Sequence, residues 1–231
     1  VAKAAMETGV ARVHIDLDAY RDQLEARLGR TREVMRDIVI KARRDPRRIV
    51  YPEGENERII RAAVRVVEEG IAHPILLGRP HRIEAAAERL GASLNGIEIL
   101  DPSADEERQQ RYAEELFRRR QRKGMTLPEA FDRVRLPIYF GCMMVEEGDA
   151  DGLIAGEDAH YPETIRPALE VIGTAPEVRH VAGLYMMILQ HDLMFFADTT
   201  VNINPDEETL SEIALLSAGF VERLGVEPAI A

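Results

Sequence analysis

The stretch RIVYPEGENERIIRAAVRVVEEGIAHPILLG, residues 48–78, contains two different hydrophobic patterns. Each end is a short run of β-branched and other apolar residues, which is typical of a strand. Between them, residues 56–70 place apolar side chains at helical spacing and end at a glycine. A strand, a helix and a second strand in this order predict two parallel strands joined by a right-handed crossover.

The same alternation continues toward the C-terminus. HRIEAAAERLG, residues 81–91, has a helical pattern, and GIEIL, residues 96–100, resembles a strand. Helical segments follow, and DGLIAG, residues 151–156, is strand-like again. These patterns predict an α/β fold, a three-layer αβα domain with a mostly parallel sheet. Residues 1–45 lack a strand pattern and are predicted to be connecting helices that precede it.

Two further apolar runs suggest a different local arrangement near the C-terminus. RHVAGLYMMIL and LMFFAD, residues 179–189 and 193–198, resemble adjacent strands with Gln-His-Asp between them, which favours a hairpin. A long amphipathic helix is predicted over residues 205–225. Residues 228–231 resemble the start of one more strand, so we expect the sheet to be truncated on its C-terminal side and to continue beyond Ala231.

Composition narrows the possible partners and compartments. The 231 residues carry a net charge of −11, which argues against a nucleic-acid or membrane surface. No apolar run is long enough for a membrane helix. The single cysteine, Cys142, excludes an internal disulfide and favours a reducing, cytoplasmic location. Because Cys142 lies in the apolar run YFGCMMV, it is interpreted as a buried hydrophobic residue instead of a nucleophile.

The segment GEDAHYPETIRPALEVIG, residues 156–173, contains the first candidate for chemistry. It follows a strand, and ligands of open α/β sheets bind at the carboxyl ends of strands, where helix N-termini attract anions. Arg166 offers two hydrogen bonds to a phosphate or carboxylate. The alternative is a surface ion pair with Glu163 or Glu170. Pro167 is predicted to interrupt the helix and to turn Arg166 toward a cleft.

Other polar clusters have both a functional and a structural interpretation. A basic run, residues 118–123, is either a solvated helix face or a source of one or two inward cations. The glutamates of residues 53–57 favour a helix N-terminus, and no histidine lies at the spacing of a metal ligand. Residues 198–204 form either the polar lip of a cleft or a turn. No glycine-rich, P-loop, HExxH or GxSxG motif is present, so spacing alone predicts anion binding without defining a reaction.

Six motifs in register resemble the phosphotransacetylase family. VAKAAMETGVAR at the start resembles the end of the nucleotide-binding domain of bacterial malic enzymes instead. Together they resemble the hybrid NADP-dependent malic enzymes, with residues 1–45 as the end of the malic enzyme domain and a helical linker and residues 46–231 as a phosphotransacetylase-like domain. The motifs are IVYPEGENERIIRAA, HPILLG, RKGMTLPEAF, YFGCMMVEEGDADGLIAG, TIRPALEVIGT and FFADTTVNINP.

The resemblance implies a site for acetyl-CoA or phosphate. Phosphotransacetylases move an acetyl group between coenzyme A and phosphate with two arginines, which match Arg120 in its RxxKG context and Arg166 in its RPA context. The family's catalytic serine and aspartate are expected beyond Ala231, so no catalytic residue is assigned in this chain. The loop departs from the family at Tyr161-Pro162-Glu163, where a ring and a carboxylate would crowd and repel a phosphate. The predicted ligand-binding residues are Arg120, Arg166, Thr164, His160 and Tyr161, with no metal ligand.

Three functions follow from this resemblance as hypotheses. The first is a regulatory domain that binds acetyl-CoA without turnover and signals to an upstream malic enzyme domain, which would hold NADP and Mg or Mn. In that case residues 1–231 need no cofactor of their own. The second is an active phosphate acetyltransferase. The third is mainly an oligomerisation module, because relatives form homo-oligomers and the apolar runs LYMMIL and LMFFAD offer interface area.

Overall fold

A computed structural model describes residue 6, residues 30–189 and residues 193–231. Residues Lys41–Ala175 form one compact unit, here called the sheet unit, and Pro176–Ala231 belong to a second, here called the hairpin unit. The predicted boundary between residues 45 and 46 separates a malic-enzyme-like segment with its linker from a phosphotransacetylase-like domain. This boundary stays a prediction. No helix among the described residues combines the length and the apolar character needed to cross a membrane.

Strands and helices alternate through the sheet unit, as the hydrophobic pattern predicts. Helix α1, Arg30–Arg44, leads into it. The strands are β1 Arg47–Tyr51, β2 Ala72–Leu77, β3 Glu98–Leu100 and β4 Gly152–Leu153. The helices are α2 Glu57–Glu69, α3 Pro80–Leu90, α4 Glu106–Arg120, α5 Leu127–Val134, α6 Pro137–Glu146 and α7 Tyr161–Val171, with a 3-10 turn at Gln121–Lys123 after α4.

The four strands form one parallel sheet in the order β3-β2-β1-β4. Val50 in β1 is in register with Ile75 of β2 on one side and with Leu153 of β4 on the other. The chain therefore adds strands outward from β1 in one direction and then returns to its other side. The strand order reverses between β1 and β4, and such a switch point is where doubly wound sheets bind ligands.

Alternate residues of the central strands face two separate apolar layers. Val50, Ile75 and Leu77 are almost fully buried among side chains of α4, α5 and α6. Tyr51 and Leu76 point to the opposite face and pack with α2 and α3. Because successive strand residues point to opposite faces, this is the burial expected of a sheet covered on both sides. The predicted three-layer αβα arrangement with a mostly parallel sheet is confirmed.

Local sequence determines where the helices begin and end. The Asn56 side chain accepts a hydrogen bond from the Arg58 N–H at the start of α2, and Gly70 ends that helix at a φ of 65°. Thr126 caps α5, because its hydroxyl oxygen accepts a hydrogen bond from the Glu129 N–H. Helix α6 is apolar on all sides and is buried, which places Cys142 in the core. Burial raises the pKa of the Cys142 thiol to about 12, in agreement with its interpretation as a buried hydrophobic residue.

The hairpin unit contains β5, Leu184–Ile188, β6, Leu193–Ala197, and α8, Glu207–Arg223. The two strands pair antiparallel, which confirms that they are adjacent. The turn predicted at residues 190–192 lies outside the described residues. Residues 226–231 form no strand, unlike the sequence prediction, because a strand needs a neighbouring strand to pair with and none of the described strands provides one.

Candidate functional site

The loop between β4 and α7 is anchored to the loop that follows β1. Four consecutive backbone N–H groups, those of residues 156–159, donate to the carboxylate of Glu53 over 2.9–3.3 Å. Burial alone would raise the pKa of Glu53, but these four donors outweigh it and hold the pKa below its ordinary value. The anchor therefore lies at the carboxyl ends of β1 and β4, at the switch point of the sheet.

Two side-chain contacts reinforce this connection. The Asn56 amide donates to both carboxylate oxygens of Asp158, at 2.9 and 3.1 Å. The Arg58 guanidinium donates to Glu157 at 2.6 Å, although Arg58 is largely exposed. Sequence reasoning missed these contacts and the role of Glu53, because about a hundred residues separate the partners and only the β1–β4 pairing brings them together.

Three of the predicted site residues lie in the first turn of α7. His160 is its N-cap residue, and the His160 N–H donates to the Glu163 carboxylate at 3.3 Å. Tyr161 is exposed, and the Thr164 hydroxyl is 3.5 Å from the His160 carbonyl oxygen. The turn therefore presents these side chains at the edge of the sheet unit, where their predicted role in ligand binding stays a prediction.

Arg166 is exposed, and it has no ion pair or hydrogen bond within residues 30–189 and 193–231. The alternative of a surface pair with Glu163 or Glu170 is wrong, because both carboxylates bind other groups. The prediction that Pro167 interrupts the helix is also wrong. Helix α7 continues to Val171 with Pro167 inside it and buried. Burial of the proline ring offsets the hydrogen bond that proline removes, so the helix continues.

Glu170 lies one turn beyond Arg166 on the same side of α7, and it contacts the second predicted arginine. The Arg120 guanidinium is 3.9 Å from the Glu170 carboxylate, and their side chains are 20% and 16% exposed. Arg133 and the Tyr139 hydroxyl donate hydrogen bonds to Glu170. Burial alone would raise the pKa of Glu170, but Tyr139 and the two arginines hold it below its ordinary value. Arg120 therefore lies against α7, the helix that carries Arg166.

Arg120 has few hydrogen-bond and ion-pair partners for a cation that is mostly buried. Its Nε atom is buried without a hydrogen-bond partner, and Glu170 at 3.9 Å is its single ion-pair partner among the described residues. A buried guanidinium with an unused donor carries a free-energy cost that a bound anion relieves. Arg120 is therefore suited to hold an anionic ligand.

The rest of the basic run, residues 118–123, has other surroundings. Arg118 and Arg119 donate to Glu115 at 2.5–2.7 Å, and these arginines hold the pKa of Glu115 at about 2. Arg122 and Lys123 are exposed in the 3-10 turn. Arg120 is the member of the run that points inward, with a side chain only 20% exposed, and its predicted contact with a phosphate-rich ligand stays a prediction.

The remaining polar clusters of the sequence have structural partners. Glu55 accepts a bidentate pair of hydrogen bonds from Arg79, which lowers the pKa of Glu55 to about 2. Asp198 accepts hydrogen bonds from four backbone N–H groups, including that of Gly183. Of the two interpretations of the segment at residues 198–204, these bonds favour the turn over a cleft lip for Asp198.

The fold and the strand order define a class of α/β protein with a mostly parallel sheet that is covered by helices on both faces. The chain belongs to the family described as phosphate acetyl/butaryl transferase, whose pattern matches residues 33–231. It is 38% identical over 236 residues to the C-terminal region of the NADP-dependent malic enzyme of Escherichia coli, covering 100% of this chain and 31% of that protein. The resemblance noted in the sequence is confirmed.

Two phosphotransacetylases extend this result. The phosphate acetyltransferase of Thermoanaerobacterium thermosaccharolyticum is 38% identical over 205 residues, which cover 86% of this chain and 62% of that protein. The structure of the EutD phosphotransacetylase from Staphylococcus aureus superposes with a TM-score of 0.78 at 31% identity, covering 86% of this chain and 59% of that one. The chain thus spans about a third of the malic enzyme and about three fifths of the two transferases.

Proposed function

We propose that this chain is a regulatory phosphotransacetylase-like domain that binds acetyl-CoA without turnover. In this proposal it belongs to an NADP-dependent malic enzyme, which decarboxylates malate oxidatively to pyruvate in the cytoplasm. The enzyme's NADP and its divalent metal, Mg or Mn, would be held by an upstream domain of the same chain. The match to the malic enzyme along the whole of residues 1–231 supports this proposal.

The observation that carries the proposal is the state of Arg120. A guanidinium that is four-fifths buried, with a buried Nε that has no partner, is costly in a protein without a ligand. A phosphate group of coenzyme A would provide the acceptor oxygens that Arg120 lacks. Arg166, exposed and unpaired among the described residues, lies one helical turn from the Glu170 that contacts Arg120.

The first turn of α7 supports binding without phosphate turnover. A helix N-terminus attracts an anion, but here the Glu163 carboxylate already accepts the His160 N–H at this position. A free phosphate entering the same turn would meet this negative charge and be repelled. A ligand whose phosphates bind further along, at Arg120 and Arg166, is not affected in this way.

Calorimetry with acetyl-CoA on the full-length protein tests the proposal. Arg120→Gln removes the buried guanidinium, whereas Arg118→Gln removes an exposed guanidinium of the same basic run that pairs with Glu115. We expect the dissociation constant of acetyl-CoA to rise about tenfold or more in the first variant and to change less than about twofold in the second. Equal effects of the two substitutions would contradict the assignment of Arg120.

Regulation is tested separately from binding. Malate kinetics of the full-length protein are measured with and without acetyl-CoA, and we expect a change of about five-fold or more, the usual range of allosteric coupling. Arg166→Ala should abolish that response while leaving malate turnover without acetyl-CoA unchanged. Kinetics that ignore acetyl-CoA, together with no heat of binding, would refute the proposal.

An active phosphate acetyltransferase is the second candidate. The presence of both arginines favours it, as does the similarity to the phosphate acetyltransferase of Thermoanaerobacterium thermosaccharolyticum. The test is formation of acetyl phosphate from acetyl-CoA and phosphate by the full-length protein. Turnover that disappears in Arg166→Ala would replace the regulatory proposal with this one.

An oligomerisation role is supported by the paired strands of the hairpin unit. Tyr185 and Met187 on β5 lie opposite Phe196 and Met194 on β6, and all four side chains are exposed by 38–55%. An apolar patch of this kind is typical of an interface. If Met187→Glu leaves the molecular mass in light scattering unchanged, this surface does not hold a homo-oligomer together.

A further inference from the structure

We propose that Glu53 is a positioning residue for the acetyl-CoA site, which it orders by fixing the loop from which α7 begins. This inference rests on the proposed function. Two N–H groups, those of Gly156 and Glu157, donate to one carboxylate oxygen of Glu53 at 3.0 and 3.1 Å. The next two, of Asp158 and Ala159, donate to the other oxygen at 2.9 and 3.3 Å.

The base of this anchor is rigid. Gly54, the next residue, donates its N–H to the Leu77 carbonyl at 3.1 Å. Its Cα lies so close to β2 that a Cβ atom would be 2.6 Å from the same carbonyl oxygen. The backbone around Glu53 is therefore held against the central sheet. This fixes the position from which the Glu53 side chain extends to the loop.

The loop itself depends on this anchor. Gly156 has a φ of 111°, a conformation that side chains rarely allow, and residues 157–160 are exposed. The other contacts of the loop, Asn56 with Asp158 and Arg58 with Glu157, join side chains at the surface, where such bonds stabilise little. Without Glu53, four consecutive N–H groups would lose their common acceptor.

The position of the loop determines the position of the ligand-binding side chains. His160 follows Ala159 directly and is the N-cap of α7, and Arg166 is less than two turns further along. A shift of the loop therefore moves the start of the helix on which Arg166 is carried. Hydrogen bonds from a guanidinium to an anion depend on distance and angle, so such a displacement weakens ligand binding.

The anchoring of four N–H groups requires an ionised carboxylate at position 53. Consecutive backbone N–H groups in a turn form a nest that attracts an anion, and Glu53 supplies that anion from within the chain. A glutamine would keep one acceptor oxygen for one pair of N–H groups. Its NH₂ group would oppose the other pair, donor against donor. The Glu53→Gln substitution thus removes the anchor with almost no change in side-chain volume.

Glu55→Gln is a matched control. Glu55 lies on the same loop after β1 and accepts hydrogen bonds from the Arg79 side chain and the Arg79 N–H, but none from residues 156–160. Both substitutions remove one negative charge and disturb a hydrogen-bonded carboxylate. Only Glu53→Gln changes the attachment of the loop that leads into α7.

The experiment combines calorimetry with amide hydrogen exchange on the full-length protein. In Glu53→Gln we expect exchange at residues 156–159 to accelerate and the dissociation constant of acetyl-CoA to rise about tenfold. In Glu55→Gln both should remain near the wild-type values. Because affinity is measured on folded protein, a loss of stability alone leaves the dissociation constant unchanged. Should Glu53→Gln fail to fold, Glu53→Asp keeps the charge, shortens the reach and should weaken binding in the same direction.

The outcomes separate the two proposals. A wild-type protein that does not bind acetyl-CoA overturns the proposed function, and the positioning role with it. If the wild type binds and Glu53→Gln binds as tightly as Glu55→Gln, the positioning role alone is overturned. Accelerated exchange at residues 156–159 with unchanged affinity has the same meaning, since the loop would then be anchored by Glu53 without ordering the site.

Discussion

Replacing Glu170 by glutamine tests how the site is held together. Glu170 accepts hydrogen bonds from Arg133 and the Tyr139 hydroxyl and forms an ion pair with Arg120 at 3.9 Å. Glutamine keeps the size of the side chain and removes its charge. Two guanidinium groups that are mostly shielded from water then lose their common counter-ion, and we expect the free energy of unfolding to fall.

The structure gives the size of this effect. At the 3.9 Å that separates Arg120 from Glu170, two unit charges attract by about 4 kcal/mol at an effective dielectric constant of about 20. Breaking one partner out of a buried pair costs about 3–5 kcal/mol. Since the two side chains are 20% and 16% exposed and the amide still accepts from Tyr139, we expect a loss of about 3 kcal/mol.

Urea unfolding at neutral pH measures this loss, with Glu129→Gln as the control. Glu129 also pairs with Arg133, at 2.7 Å, but its side chain is 42% exposed. An exposed pair contributes about 0.5 kcal/mol, so the control should be close to the wild type. A Glu170→Gln protein as stable as the control would refute the view that Glu170 neutralises the two arginines.

The pH dependence follows from the direction of the pKa shift. The pKa of Glu170 lies below its ordinary value of 4.5, chiefly because Tyr139 and Arg133 outweigh the effect of burial. Its contribution to stability is therefore complete above pH 4.5 and is lost as the pH falls through the lower, folded-state pKa. The difference in the free energy of unfolding between wild type and Glu170→Gln should shrink in that acidic range.

The same substitution also affects ligand binding in the proposed function. Acetyl-CoA should bind Glu170→Gln more tightly than the wild type, because Glu170 no longer competes for Arg120.

Three further predictions concern stability and reactivity. Asp198→Asn weakens the turn closed by the Gly183 N–H and should lower the unfolding free energy by about 2 kcal/mol in urea denaturation. Gly54→Ala should cost about 1–3 kcal/mol in the same assay, because its new Cβ meets the Leu77 carbonyl oxygen at 2.6 Å. Cys142, with a pKa raised by burial to about 12, should resist iodoacetamide at pH 8 in the native protein and react after unfolding, as followed by mass spectrometry.

The arrangement of helices on both faces of the sheet could be predicted because it follows from the local pattern of apolar residues. Alternate residues of RIVYP and HPILLG face opposite layers, so two short runs already determine a sheet covered on both sides. The burial of Cys142 could also be predicted, because the run YFGCMMV around it contains no charged residue. These elements need no knowledge of distant partners, and that is why sequence patterns sufficed for them.

The site could be predicted only where it follows a contiguous motif. Short motifs made Arg120 and Arg166 candidates for the site, and that assignment stays a prediction, but no motif predicted the surroundings of either residue. The contacts of Glu53 span 103–106 residues, and no local pattern indicates them. Pro167 was misread for a related reason. Proline is unfavourable inside a helix when the helix is considered alone, whereas burial of its ring in the folded unit outweighs that cost.

The charges at the switch point explain how an acidic chain leaves its two candidate site arginines available to an anion. The net charge is −11, yet the carboxylates nearest to α7 are already engaged. Glu53 is bound by backbone N–H groups, Glu163 accepts the N–H of its own helix cap, and Glu170 lies against two arginines. Arg166 and the unused donor of Arg120 remain for an external anion. In the proposed function, a ligand with several spaced phosphates, such as a coenzyme A thioester, would satisfy both arginines, whereas a single phosphate at the helix start would face Glu163.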